Sequence, residues 1–218
     1  TTLQNYLIFD KFGNNAVIQS AYSKDISAIK YYIETLNCDK DIRDTNQRSF
    51  IHHAAGGGAV NVLKYLVENC RLSVKSEDKN KLTPLHYAVG NDSLETTVYL
   101  IEQCNAEIDA IDSFGNQPVH YAAINGHIRI LQYLKTRMKI NVPNGEGNTL
   151  LHLAAQNGRL NMVKYLVEEN IISLDVKNDS KSTPLHSASS GKNIEVIKYL
   201  YEKRPENIDS KDDSEFTP

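Results

Sequence analysis

The sequence predicts an all-α solenoid of helix–turn–helix repeats joined by β-hairpin-like loops, and three ladders of recurring residues predict it. His52, His86, His120, His152 and His186 follow one another at 34, 34, 32 and 34 residues. Tyr31, Tyr65, Tyr99, Tyr133, Tyr165 and Tyr199 keep the same step with the same two-residue contraction. Asp10, Asp44, Asp78, Asp112, Asn144, Asn178 and Asp212 mark it a third time. A fixed period of this length means one supersecondary unit repeated, each unable to bury its apolar face without a neighbour.

Within the period each element has a local reason. The frame Asp or Asn opens a short hairpin-like tip. A capping residue follows (Ser49, Thr83, Gln117, Thr149 or Thr183), often with Pro behind it, which starts a short helix of small apolar residues. A turn that often contains Gly leads to a longer second helix, such as Leu160 to Glu169 with Val163, Leu166 and Val167 on one face. The repeats are placed at 10–43, 44–77, 78–111, 112–143, 144–177 and 178–211, within a single domain spanning 1–218. Residues 212–218, "DDSEFTP", match the opening of a seventh repeat, so the chain is expected to be cut from a longer array whose uncapped last repeat invites self-association.

Around the His ladder the frame reads "RSFIHHAA", "LTPLHYAV", "NQPVHYAA", "NTLLHLAA" and "STPLHSAS". This resembles the ankyrin repeat, whose T-P-L-H-x-A signature is intact in repeats three and six, and the resemblance covers about residues 10–218. Repeat one departs from it, with Ile18 at the His position, and Lys24, Asp92 and Lys192 stand where the family's turn Gly would be. The resemblance implies that the ladder His is a structural hydrogen-bonder joining neighbouring repeats. It also implies that partners are bound by the hairpin tips and by the concave face of the first helices.

Composition excludes several classes of function. The net charge is −3, with acidic and basic residues interspersed, so nothing marks a nucleic-acid or anionic-membrane surface. No apolar run approaches the roughly 18 residues of a membrane span. Five of the seven His recur one per repeat, about 8–10 Å apart by helix packing, which is too far for zinc at about 2 Å. No cofactor or metal is expected. Cys38, Cys70 and Cys104 are an odd number at wide spacing without a C-x-x-C, so free thiols in a reducing, cytoplasmic compartment are expected.

Catalytic patterns are missing. "SASSGKN" lacks the first Gly and the Ser/Thr of a phosphate loop, and "GGG" at Gly56 to Gly58 falls in an inter-helix turn, where it reads as a loosened helix end. There is no H-E-x-x-H or G-x-S-x-G. Asn91-Asp92-Ser93 and Asn178-Asp179-Ser180 are glycosylation sequons only in a secreted protein.

The expectation is therefore a non-catalytic scaffold for a protein or peptide. The alternative is a structural or targeting arm of a larger channel, toxin, effector or enzyme whose activity lies elsewhere. Carried over position by position, the binding tips run from Lys11 and Phe12 to Ser180, and the helix face includes Tyr22 and Gly56. The partner-binding set is His53, Tyr87, Phe114, Tyr121, Ile124, Asn125, Leu153 and Gln156, centred on repeats three to five, where aromatics gather as they do at interface hot spots. His53 is expected to be a surface contact. The Tyr ladder of the second helices is read as packing.

Overall fold

In a computed structural model the described residues are 16–218; Asp10, Lys11 and Phe12 lie outside them. The described residues form twelve α-helices and no strand. The chain divides into two compact units, one ending at Ser113 and the other beginning at Phe114. The first unit contains α1 (Ala16–Tyr22), α2 (Ile26–Lys30, continued by a π turn over Tyr31–Thr35), α3 (Phe50–Gly56), α4 (Val60–Glu68), α5 (Pro84–Gly90) and α6 (Leu94–Glu102). The second contains α7 (Pro118–Asn125), α8 (Ile128–Lys135), α9 (Leu150–Gln156), α10 (Leu160–Glu168), α11 (Pro184–Ser190) and α12 (Ile194–Lys203), followed by a 3-10 turn at Pro205–Asp209.

Packing inside each unit follows the period. First helices lie against first helices, α1 on α3 on α5 and α7 on α9 on α11, and each packs on its own second helix. Small residues permit that approach: Ala54, Ala55, Ala88, Ala122, Ala123, Ala154, Ala155 and Ala188 are all fully buried. The second helices supply bulk with Leu63, Leu66, Leu100, Leu131, Leu134, Val163 and Leu166.

One second helix breaks the pattern. Where α4, α8 and α10 bury Val62/Leu63, Ile130/Leu131 and Met162/Val163, α6 buries Thr96 and Thr97, whose hydroxyls have no hydrogen-bond partner. A buried hydroxyl without a partner costs about 1–3 kcal/mol. Thr97→Val keeps the shape and removes the hydroxyl, so it should raise stability by about 1–2 kcal/mol, read as a later urea midpoint at unchanged slope.

The loops obey a conformational rule as strict as the ladders. The third residue after each described frame position is left-handed: Gln47, Lys81, Gly115, Gly147, Lys181 and Glu215 have φ between 57° and 74°. The inter-helix turn has a second such position, filled by Lys24, Gly58, Asp92, Gly126, Gly158 and Lys192. Lys24, Asp92 and Lys192 thus keep the glycine conformation without the glycine, at about 1–2 kcal/mol each. Asn37, Arg71, Asn105 and Asn170 form a third series behind the second helix, where a left-handed residue ends the helix.

Candidate functional site

The frame residue builds the tip. Asp44 Oδ1 accepts the backbone N–H groups of Asn46 (2.8 Å) and Arg48 (2.9 Å), while the Asp44 N–H donates to the Arg48 carbonyl. Asp78, Asn144, Asn178 and Asp212 make the same pair of side-chain bonds to the residues two and four places on. Asn suits the second unit for an added reason: Asn144 Nδ2 donates to Asn116 Oδ1 (2.8 Å), and Asn178 Nδ2 to Asn148 Oδ1 (2.7 Å). A carboxylate has no hydrogen to give there.

The ladder His ties each cap to the next tip. The Ser49 N–H donates to His52 Nδ1 (3.1 Å), so Nδ1 carries no proton and Nε2–H donates to the Leu82 carbonyl (3.1 Å). That carbonyl also accepts the Asp78 N–H that closes the next tip, so both its lone pairs are used. His152 and His186 do the same to the carbonyls of Ser182 and Phe216. His120 instead reaches the Val142 carbonyl, on the approach to its tip. Burial pushes His52 down to about 4 and also lowers His152. Consecutive tips are further joined by one backbone bond each, such as Lys79 N–H to the Asn46 carbonyl and Gly145 N–H to the Phe114 carbonyl.

The residue after the ladder His reaches back nine places to the frame carboxylate. His53 Nε2 lies 3.1 Å from Asp44 Oδ2, and the Tyr87 hydroxyl donates to Asp78 Oδ2 (2.7 Å). His53 is only 7% exposed, so it is not the surface contact its sequence position suggested. Burial lowers its pKa. Burial alone would raise Asp44, but the backbone N–H and guanidinium of Arg48 hold its carboxyl below the usual value. Leu153, in the equivalent place, is buried as well.

A family model described as ankyrin repeats, three copies, matches residues 17–112, 69–144 and 119–212. The chain belongs to the ankyrin-repeat family. No curated protein matches it. Among solved structures, a chain of the Bd0816 predatory endopeptidase from Bdellovibrio bacteriovorus in complex with immunity protein Bd3460 is similar, at a TM-score of 0.69 and 24% identity. The match covers 90% of this chain and all of that one; at such identity it establishes the fold alone.

Against the ankyrin frame, the remaining candidate residues fall into place. Tyr87 belongs to the first unit and Phe114, Tyr121, Ile124, Asn125, Leu153 and Gln156 to the second. Asn125 Nδ2 folds back onto the Tyr121 carbonyl, as Asn157 does onto Leu153. The Ile124 carbonyl accepts Arg159 Nε (2.8 Å) and the Gln156 carbonyl accepts Asn193 Nδ2 (2.7 Å), so both backbones are tied to the following repeat. Ile124 is half-buried, Gln156 exposed, and Phe114 60% exposed.

The second helices of the ankyrin units carry a device that the Tyr ladder only hinted at. The Tyr65 hydroxyl donates to Glu34 with Lys30 Nζ 5.4 Å from its ring, and Tyr99 and Tyr199 repeat this with Glu68 and Lys64, and with Glu168 and Lys164. The signal was in the sequence as K-Y-x-x-E at 30–34, 64–68 and 164–168, each clamping the following Tyr.

Other candidate chemistry is absorbed by the fold. Cys38, Cys70 and Cys104 are free, and burial raises all three thiols, which lowers their thiolate fraction at neutral pH. The sequon Asn178 is committed to its tip. Among the described residues no His, Cys, Asp and Glu side chains gather to hold a metal, and no helix is long and apolar enough to cross a membrane.

Proposed function

We propose that this ankyrin array is a non-catalytic scaffold that binds a protein or peptide, with Phe114 and Ile124 of the second unit as its principal anchors. One observation carries the reading. Phe114 stands 60% exposed at a hairpin tip, where the family's partners are contacted, and an exposed aromatic ring is the chemistry of interface hot spots. Ankyrin folds are typically interaction modules, and the similar solved chain belongs to a complex of an endopeptidase with an immunity protein. Free thiols with raised pKa suit a reducing, cytoplasmic setting.

The test is affinity capture from the cell that makes the protein, in parallel with Phe114→Ala/Ile124→Ala. Two hot-spot truncations should weaken a captured partner roughly 10- to 100-fold with circular dichroism unchanged. A partner held equally by both proteins would place the contact elsewhere.

A further inference from the structure

Charge is interspersed along the chain as a whole, at a net −3, but not in the first half of the second unit. From Phe114 to Val167 there are six Lys/Arg side chains, Arg129, Lys135, Arg137, Lys139, Arg159 and Lys164, against the single acid Glu146. The centre of this excess is α8. It buries Ile130, Leu131 and Leu134, exposes Arg129, Gln132 and Lys135, and is followed by an exposed Lys139. Aligned on the ladder Tyr, Lys135 stands where α4, α6 and α10 carry Val67, Ile101 and Val167. Thr136 stands where they carry Glu68, Glu102 and Glu168, and Arg129 where they carry Asn61, Glu95 and Asn161.

The exchange leaves a gap in the Tyr ladder. Tyr65, Tyr99 and Tyr199 each donate a hydroxyl to a Glu of the preceding second helix. Tyr165, on α10, has Gln132 and Thr136 at the clamp positions, and its half-buried side chain has no hydrogen-bond partner among the described residues. The cations beside the gap are poorly balanced. Lys135 reaches Glu169 only at 3.9 Å, an exposed pair of the kind that contributes little. Arg159 spends Nε on the Ile124 carbonyl, which neutralises no charge, while Arg129 and Lys139 have no carboxylate partner among the described residues. Glu168 is committed to the Tyr199 hydroxyl, and Arg137 lies 3.8 Å from the Tyr133 ring.

We infer that the exposed face of α8 receives a short acidic segment of the protein partner, one of whose carboxylates takes the place that the ladder Glu fills in the other units. The ladder identifies the group, since the acceptor of Tyr65, Tyr99 and Tyr199 is in each case a carboxylate. The Tyr165 hydroxyl and Lys135 hold that carboxylate in charge-assisted hydrogen bonds, and Arg129 and Lys139 attract the acids on either side of it. The surface is one helix face and one loop, without an exposed aromatic ring among its cations to stack a base, which suits a peptide rather than a nucleic acid. The inference rests on the scaffold reading but uses a separate surface, so the two can fail independently.

The test follows the Arg129, Lys135 and Thr136 amide resonances of the whole chain during titration with capped Gly-Glu-Glu-Gly-Glu-Glu-Gly, and with the same peptide carrying Gln for Glu. The Glu peptide should shift them saturably, and the Gln peptide should bind at least roughly tenfold more weakly, the scale of one lost charge-assisted contact. Lys135→Val/Thr136→Glu writes into α8 the residues that α4 and α10 carry there, so the fold is kept, the gap is filled, and Glu-peptide binding should fall by a similar factor. Tyr165→Phe removes only the hydroxyl and should weaken the Glu peptide several-fold. Phe114→Ala/Ile124→Ala should leave it unchanged. Equal responses to Glu and Gln, indifference to Lys135→Val/Thr136→Glu, or resonances that neither peptide moves would overturn the inference. So would a short single-stranded oligothymidylate, or phosphatidylserine vesicles, that moved the same resonances at a lower anion concentration than the Glu peptide. A Glu titration that succeeds while the Phe114/Ile124 variant keeps its cellular partner would overturn the second-unit anchor and leave the α8 face standing.

Discussion

Acidification from pH 7 to pH 4 should cost the protein about 3 kcal/mol through His52 alone, since its folded pKa is about 4 against 6.5 for the free side chain. The cause is burial, which makes a charged ring unfavourable, and the hydrogen-bond pattern agrees: Nδ1 must stay unprotonated to accept the Ser49 N–H. The sign follows from proton counting. Between pH 6.5 and 4 the unfolded chain binds a proton on this residue that the folded chain refuses, so stability is full above 6.5, declines through that window and levels off below it. His53 and His152 are lowered in the same direction and steepen the decline. Urea midpoints measured at intervals from pH 7.5 to 4 check this; a flat profile would mean that the ladder rings titrate freely.

Gly57→Ala should be among the most damaging single methyl additions at the described residues. Gly57 has an ordinary helical φ of −74°, so the restriction is one of space and not of conformation. A Cβ there would overlap the Tyr22 carbonyl, which is backbone and cannot swing aside. A loss of about 3 kcal/mol is expected, the upper range for forced overpacking. Gly56→Ala, one residue earlier, meets only ordinary contacts and should instead add about 0.5–1 kcal/mol. Thermal or urea denaturation of the two variants side by side reads the contrast, and equal effects would remove the steric argument. The same glycine role recurs at Gly191 against the Gln156 carbonyl.

Much of this was legible in the residues themselves. The His, Tyr and Asp/Asn ladders located the helix pairs, because caps, turn residues and buried rings must recur wherever the backbone recurs. The structural role of the ladder His came with the family resemblance, and the packing reading of the Tyr ladder, taken from its recurrence, fits the buried Tyr65 and Tyr99 but not Tyr31, which is 54% exposed. The "GGG" run lies at the helix end and inter-helix turn where the sequence put it, but the reason for Gly57 was not legible: an added Cβ would meet a carbonyl from 35 residues earlier, and no local pattern reports such an approach. His53 was misplaced for a related reason. Its position on the first helix faces outward by register, but Asp44, nine residues back, draws the ring inward. Tyr87 with Asp78 carries the same spacing, so a hydrogen-bonding side chain nine places after the frame Asp was the available sign. The left-handed residues at Lys24, Asp92 and Lys192 were foreseeable as turn positions, whereas those at Gln47 and Lys81 were hidden by residue types that rarely adopt that backbone.

The single backbone bond linking each tip to the next has a mechanical consequence. In a β-sandwich, neighbouring strands share many such bonds loaded side by side, and a pull must break them together. Here Lys79 to Asn46, Ser113 to Asn80, and Asp213 to Ser180 are links in series, each able to give way while the rest hold. Tension along the chain would therefore release one helix pair at a time, paying out about 110–120 Å of slack per 34-residue unit, and the protein would yield as a soft spring with many short steps.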